Sequence, residues 1–162
     1  MDIVKKLQEL PVEERKQAYR DFAQSLIPKI REIPGSRDKY ELSETHPIFH
    51  TFGDGFYLRH MSIPNDEFIV TEIHRKENPL FLLSGSCAIL TESGVEEVAA
   101  PWYTITKPGT QRIMYMREEC VFVTVHPTEC KTVEDVEKDI IAKDFNDPKI
   151  VEYENSLKRL KE

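Results

Sequence analysis

The stretch from Glu72 to Gly85 reads EIHRKENPLFLLSG, and the use made of its polar half decides how the rest of the chain is read. Glu72 and His74 stand two apart. In an extended strand such residues project to one face, so the two side chains share a direction. Asn78-Pro79 is a turn signal, Leu80 to Leu83 read as a second strand, and Gly85 as the next turn. A hairpin of this shape brings position 78 to the level of Glu72 and His74. Imidazole and carboxylate groups converging with open positions suit non-haem Fe(II), Mn or Zn. The stretch supplies one histidine where such a hairpin would want two.

On both sides of it the texture is that of short strands. Phe56 to Ile63, Glu67 to His74, Leu80 to Leu83, Ser86 to Thr91, Val95 to Ala99, Trp102 to Thr106, Thr110 to Met116 and Cys120 to His126 are rich in Val, Ile, Phe, Tyr and Thr. Pro64-Asn65-Asp66, Ser93-Gly94, Pro101, Pro108-Gly109 and Glu118-Glu119 separate them. Strands at this spacing predict an all-β barrel or sandwich. Residues 1 to about 31 read as helix, with Pro11 in a first turn and Tyr19, Phe22, Leu26 and Ile27 on one face. Residues 35–55 read as a loop ending in the Gly53-Asp54-Gly55 turn. Thr132 with Asp135 caps a helix over Val133 to Ala142, and Asp147-Pro148 opens a last helix carrying Ile150, Val151, Tyr153, Leu157 and Leu160. The division expected is an N-terminal helical extension (1–35), a β-barrel (36–128) and C-terminal helices (129–162), together one structural domain. The apolar stripes of the terminal helices should cover an open barrel edge or join two chains.

Residues 56–127 resemble the cupin superfamily, whose members are double-stranded β-barrels of the jelly-roll kind. Its first motif carries two histidines two apart, then a glutamate and a glycine; these places fall here on Glu72, His74, Asn78 and Gly85. Its second motif places a histidine three residues after a proline-glycine turn; here the turn is Pro108-Gly109 and the place is held by Arg112. The wording of EIHRKENPLFLLSG, APWYTITKPGTQR (100–112) and VTVHPTE (123–129) is also similar to small cupin-like proteins of tailed phages. The resemblance implies a mainly β, cupin-like barrel with helical N- and C-terminal extensions, and a homo-oligomer, a dimer first of all. It also implies a choice of activities. The family includes metal-dependent dioxygenases and decarboxylases and metal-free sugar epimerases. A phage protein could instead use the barrel as a rigid platform, as a virion component or accessory.

The residues at the motif places weigh on that choice. Glu72 and His74 are plausible metal ligands, and Asn78 is a weak neutral donor. Arg112 is no ligand, because guanidinium stays protonated and offers no acceptor. No metal cofactor is therefore favoured; a divalent transition metal, if bound, would use Glu72 and His74. Beside that metal site, two further readings stay open. Glu72 and Arg112 form a buried ion pair that only fixes the barrel, which is weak evidence for either stability or function. Alternatively Glu72, His74, Asn78, Arg112 and His126 line a metal-free pocket for a small anionic or polar ligand, with Arg112 as bidentate donor. His126 faces inward on one strand phase and outward on the other, and Val121, Val123 and Val125 favour the outward one. His60 has the same ambiguity, and His46 and His50 read as surface residues. An epimerase would need His74 as base with Tyr103 or Tyr115 as acid. Trp102 reads as core or pocket lining, and Cys87, Cys120 and Cys130 as small core residues.

Bulk properties narrow the partners. The 162 residues carry a net charge of −7, with 31% charged and 40% hydrophobic residues. That charge disfavours nucleic acid or an anionic membrane as main partner. Three widely spaced cysteines, and no long apolar run near Met1, point to a reducing, cytoplasmic setting, which is the host cytoplasm or the virion for a phage protein.

Overall fold

A computed structural model describes residues 2–32 and 48–160 of the chain. Helix α1 (Ile3–Glu9) starts where the Asp2 side chain accepts from Val4 N at 3.0 Å, and α2 (Val12–Leu26) follows it. The single helix expected over the first 31 residues is thus broken. Leu10 is extended, as the residue before a proline prefers to be, and Pro11 is the N-cap of α2 rather than part of a continuous helix. A 3-10 turn, Ile27–Glu32, ends the segment.

Among the described residues eleven strands follow: β1 (Phe49–Gly53), β2 (Phe56–Ile63), β3 (Phe68–Val70), β4 (Ile73–His74), β5 (Asn78–Ser84), β6 (Ser86–Thr91), β7 (Gly94–Ala99), β8 (Trp102–Thr106), β9 (Ile113–Met116), β10 (Cys120–Pro127) and β11 (Ile141–Ala142). One sheet has the order β1-β2-β10-β5-β8 and the other β3-β9-β6-β7, with β4 and β11 as a separate pair. All pairings are antiparallel. With the edge strand β1 set aside, β2-β10-β5-β8 face β3-β9-β6-β7. The chain crosses between the sheets at β2 to β3, β3 to β5 by way of β4, β5 to β6, β7 to β8, β8 to β9 and β9 to β10. That order is a jelly roll, and the expected mainly β fold with helices at both ends is the one observed. Helices α3 (Val133–Ile140) and α4 (Pro148–Arg159) complete it, with Thr132 and Asp147 capping them as expected.

Three expectations from the sequence need correction. Part of the segment read as a loop over 35–55 is strand β1; residues 33–47, with His46, lie outside the described residues. Four of the five β1 residues are exposed, so no burial alternation marks it in the sequence. The helix predicted to reach Ala142 stops at Ile140, where Ile141 and Ala142 pair with β4. The strand predicted over 67–74 divides at Thr71-Glu72 into β3 and β4, with consequences for the site.

The core sits between the sheets. Ile63, Ile69, Leu80, Leu82, Cys87, Ile89, Val98, Met114, Met116, Cys120 and Phe122 form its main cluster. On the outer face of the four-stranded sheet, Leu7, Tyr19 and Ala23 of α1 and α2 pack with Ile113, and Phe68, Val70 and Leu90 join them. The Tyr19 hydroxyl donates to Gln111 O at 2.9 Å, and Gln111 in turn donates to Thr71 O at 2.9 Å. Arg20 of α2 pairs with Glu154 of α4 and lies over the Phe145 ring, 4.3 Å from its centroid. The helical stripe read from Tyr19, Phe22 and Leu26 therefore covers a sheet of its own chain, while Ile27 stays exposed. In the last helix Ile150 is buried, and Val151, Leu157 and Leu160 are exposed. None of the described helices is long and apolar enough to cross a membrane.

Two motif glycines are required by space and by backbone. Gly85 has φ +85°, and a Cβ there would lie 2.2 Å from Glu119 O. Gly109 has φ +79°, and a Cβ there would lie 2.8 Å from the Arg20 guanidinium and 2.9 Å from Ile150. We expect Leu7→Ala to destabilise the fold by about 2–5 kcal/mol in urea unfolding, the range for a buried leucine. Unchanged stability would mean that α1 does not cover the sheet.

Candidate functional site

Even-numbered residues of β5, β8 and β10 point between the sheets, as the alternation of more and less buried positions along them shows, and Met114 and Met116 of β9 join the same core cluster. Along that interior the chemistry changes. Leu82, Leu80, Met116, Met114, Cys120 and Phe122 form the apolar end. Further along the same strands come Asn78, Thr106, Thr124 and His126, all buried. The phase of β10 is settled by this: His126 is 2% exposed, and the outward phase suggested by Val121, Val123 and Val125 is corrected. Those valines form the other, half-buried face.

His74 lies against His126, with ring centroids 6.0 Å apart and planes within 3°. His126 Nε2 and Thr124 Oγ1 are 2.8 Å apart. On the other side of His126 stands Tyr57, whose hydroxyl accepts from Arg59 Nε at 3.1 Å and also hydrogen-bonds His50 Nδ1. Arg59 Nη2 donates to Glu137 of α3 at 2.9 Å, and Tyr57 packs with Val136 and Ile140 of the same helix. Helix α3 thus closes this end of the barrel. His50 is exposed, as expected of a surface histidine, and its ring joins this network from the outside. Tyr57 and Arg59 were missed, although the alternation in FYLRHMSI already sets Tyr57, Arg59, Met61 and Ile63 on one face.

At this end His74 Nδ1, Asn78 Oδ1 and Thr106 Oγ1 are enclosed with no well-formed hydrogen bond among the described residues, although the Asn78 side chain lies close enough to His74 to favour its charged form. Asn78 and Thr106 are register partners on β5 and β8. An enclosed polar atom left unpaired costs about 1–3 kcal/mol, so these atoms call for water or a polar ligand group.

Glu72 is not part of the group. It is exposed, in the link between β3 and β4. Ile69 upstream lies in the core between the sheets, whereas Ile73 packs with Ala142 and Ile150 outside it. The strand phase therefore slips between them. The ladder to the next strand survives the slip through Thr71 N to Arg112 O and His74 N to Thr110 O. Period-two reasoning across Glu72 and His74 fails because the segment is not one regular strand there. No ion pair joins Glu72 to Arg112 among the described residues.

Arg112 is half-buried and lines a cavity of about 430 Å³ at the barrel mouth, with Trp102, Thr104, Ile89, Tyr19 and Glu96 among its walls. Lys16 and Arg20 also line it, but both are paired with Glu154. Arg112 has no carboxylate within salt-bridge distance among the described residues. Burial pushes its pKa down, against the opposing influence of Tyr19 and Glu96. Arg112 is also close enough to His74 for its charge to act on that ring.

The donor set does not fit a transition metal. Among the described residues no three His, Cys, Asp or Glu side chains are grouped to hold one. His74 and His126 face each other with a neutral amide beside them and two guanidinium groups near, and cations there repel a metal ion. Nor is the epimerase set assembled: Tyr103 is 71% exposed on the outer face, and Tyr115 donates to Asp66 at the surface. Cys87 and Cys120 are core residues, as expected.

Both interior histidines are held neutral. Burial, then the His126 and Arg112 charges, bring the His74 pKa down to about 3, and burial followed by Arg59 brings His126 to about 4. The unfolded chain binds protons at these rings from about pH 6.5 downward, and the folded chain does not. Stability should therefore be full above about pH 6.5 and fall as the pH drops toward about 4 and then about 3. His74→Gln should flatten that acid limb in pH-dependent urea unfolding, and an unchanged limb would place the titration elsewhere.

No family model and no curated protein matches the chain. Solved structures similar to it include a cupin-2 domain containing protein from Shewanella frigidimarina, at TM-score 0.42 and 11% identity, covering 50% of this chain and 79% of that one. An acetylacetone dioxygenase from Acinetobacter johnsonii is similar at TM-score 0.43 and 15% identity, over 49% of this chain and 58% of that one. A putative ethanolamine utilization protein Q from Salmonella typhimurium is similar at TM-score 0.43 and 14% identity, over 54% and 75%. The jelly roll itself stands on strand order and register.

Proposed function

We propose that the barrel mouth binds a small anionic molecule without a metal, held by the Arg112 guanidinium. The observation that carries this reading is the half-buried Arg112 in the wall of the 430 Å³ cavity, with no carboxylate within salt-bridge distance among the described residues. A desolvated guanidinium presents a fork of donors that a carboxylate or phosphate fits in two parallel hydrogen bonds. Trp102 and Ile89 supply apolar wall, and Thr104 and Thr110 supply hydroxyls. Glu92 and Glu96 also line the cavity. Lys16 and Arg20 share the one Glu154 carboxylate, so three cations with Arg112 stand against three carboxylates, Glu92, Glu96 and Glu154, and that balance favours a ligand with a single negative group over a polyanion.

This reading separates from the ion-pair scaffold by the sign of one stability change. With no Glu72 partner to strand, Arg112→Met should leave stability within about 1 kcal/mol or raise it, because it removes a desolvated charge. The same variant should lose roughly tenfold to a hundredfold in affinity for the monocarboxylate or phosphomonoester that titration calorimetry selects from a panel. Binding should persist after exhaustive chelation. Binding that disappears with chelation and returns with iron, manganese or zinc would overturn the metal-free reading. Full affinity in Arg112→Met would overturn the role of Arg112.

A further inference from the structure

The cavity that holds Arg112 also holds a charge of the opposite sign. Glu96 stands on β7, where register sets it beside Ile89 of β6, and Ile89 in turn beside Met114 of β9. Ile89 and Met114 belong to the core between the sheets, so Glu96 shares their inner face. Arg112 lies two residues before Met114 and is on that face as well. Glu97, the next residue along β7, alternates to the other face and pairs with Arg117 at 2.8 Å. Glu96 makes no salt bridge among the described residues, although its charge reaches Arg112.

Spacing explains why the two do not meet. Strands about 4.8 Å apart, with about 3.3 Å per residue, put the backbones of Glu96 and Arg112 about 12 Å apart, two strands across and two residues along. Side chains rising from one face at that distance leave room between their heads for a small molecule with a charge at each end. We infer that the anionic group held by Arg112 is the carboxylate of an amino acid with an apolar side chain, and that Glu96 receives its ammonium group. The inference rests on the reading that Arg112 holds an anion, and it names the class of that ligand.

Charge, wall and size agree on the class. The three cations and three carboxylates at the cavity cancel. A plain carboxylate entering it brings a net negative charge beside Glu92 and Glu96, in a chain that already carries −7. An amino acid is neutral overall, and each of its charged groups meets the opposite sign. Hydrogen bonds between ionised groups are the stronger kind, so the amine adds to what the carboxylate gains at Arg112. Trp102 and Ile89 offer apolar surface to a side chain. The volume of about 430 Å³ is near the lower end of the roughly 300–1,000 Å³ of small-molecule sites, which suits a ligand of this size.

The test is titration calorimetry on the full chain with matched ligands on two skeletons: L-leucine, isocaproate and isopentylamine, and L-phenylalanine, hydrocinnamate and phenethylamine. In each set the second ligand lacks only the amine and the third only the carboxylate. The inference expects at least one amino acid to bind about tenfold or more tighter than both of its analogues. Glu96→Gln should weaken that amino acid about tenfold and should not weaken its carboxylate analogue. Glu96 is exposed, so the variant keeps the core, and its melting temperature establishes that it is folded. Carboxylates that bind as tightly as their amino acids overturn the inference and leave Arg112 as a site for simple anions. A chain that takes none of these ligands overturns it too, while the Arg112 reading falls only with full anion affinity in Arg112→Met. A preference for the amino acid that survives unchanged in Glu96→Gln overturns the place given to the ammonium group.

Discussion

The exclusion of water between the two sheets is the constraint on which the molecule depends. Every even-numbered side chain of β10 must live there: first Cys120 and Phe122, then Thr124 and His126. The apolar pair contributes to a core that the hydrophobic effect holds together. The polar pair must find partners or remain as a cost. β5 and β9 repeat the gradient, from Leu82 and Leu80 to Asn78 and from Met116 and Met114 to Arg112. One end of the barrel is a stabilising core, and the other is a polar chamber whose upkeep that core offsets.

The helices make sense as responses to this gradient. Helices α1 and α2 cover the outer face of one sheet and, through Tyr19, Gln111 and Thr71, fix the segment that delivers Arg112. Gln111 and Arg112 are adjacent, one latched outward to α2 and one facing the mouth. Helix α3 closes the side of the chamber that holds Tyr57 and Arg59. Gly109 has no side chain because Arg20 and Ile150 occupy the space one would need, so the turn before Arg112 is clamped by α2 and α4 together. A guanidinium delivered by so constrained a turn is preorganised, which lowers the ordering cost of binding a ligand.

Much of this was legible in the sequence, and the failures have physical causes. Regular strands with one buried face, such as Phe56–Ile63 and Cys120–Pro127, announce themselves by alternation. The exposed edge strand Phe49–Gly53 lacks that alternation and was read as a loop. The glycine turns and Arg112 could be placed from motif spacing, because Gly85 and Gly109 answer to hard steric limits. Glu72 could not, since the slip between Val70 and Ile73 is set by pairing with the distant Thr110–Arg112 segment and leaves no local mark. The phase of His126 misled for the opposite reason: the valines taken as inward form the second apolar face, on the outside of the sheet. Apolar content alone does not tell inside from outside when both faces of a strand are apolar.

The central claim is that Arg112 is a desolvated cation awaiting an anion rather than one half of an internal pair. The most direct measurement is the Arg112 Nε–Hε resonance in ¹H–¹⁵N spectra of metal-free protein, assigned by comparison with Arg112→Met. Addition of the monoanion selected by calorimetry should move that resonance in a saturable manner, with the affinity measured by heat, and leave the Arg59 resonance near its place. A resonance for Arg112 that ignores every anion, while ligand still binds, would contradict the account.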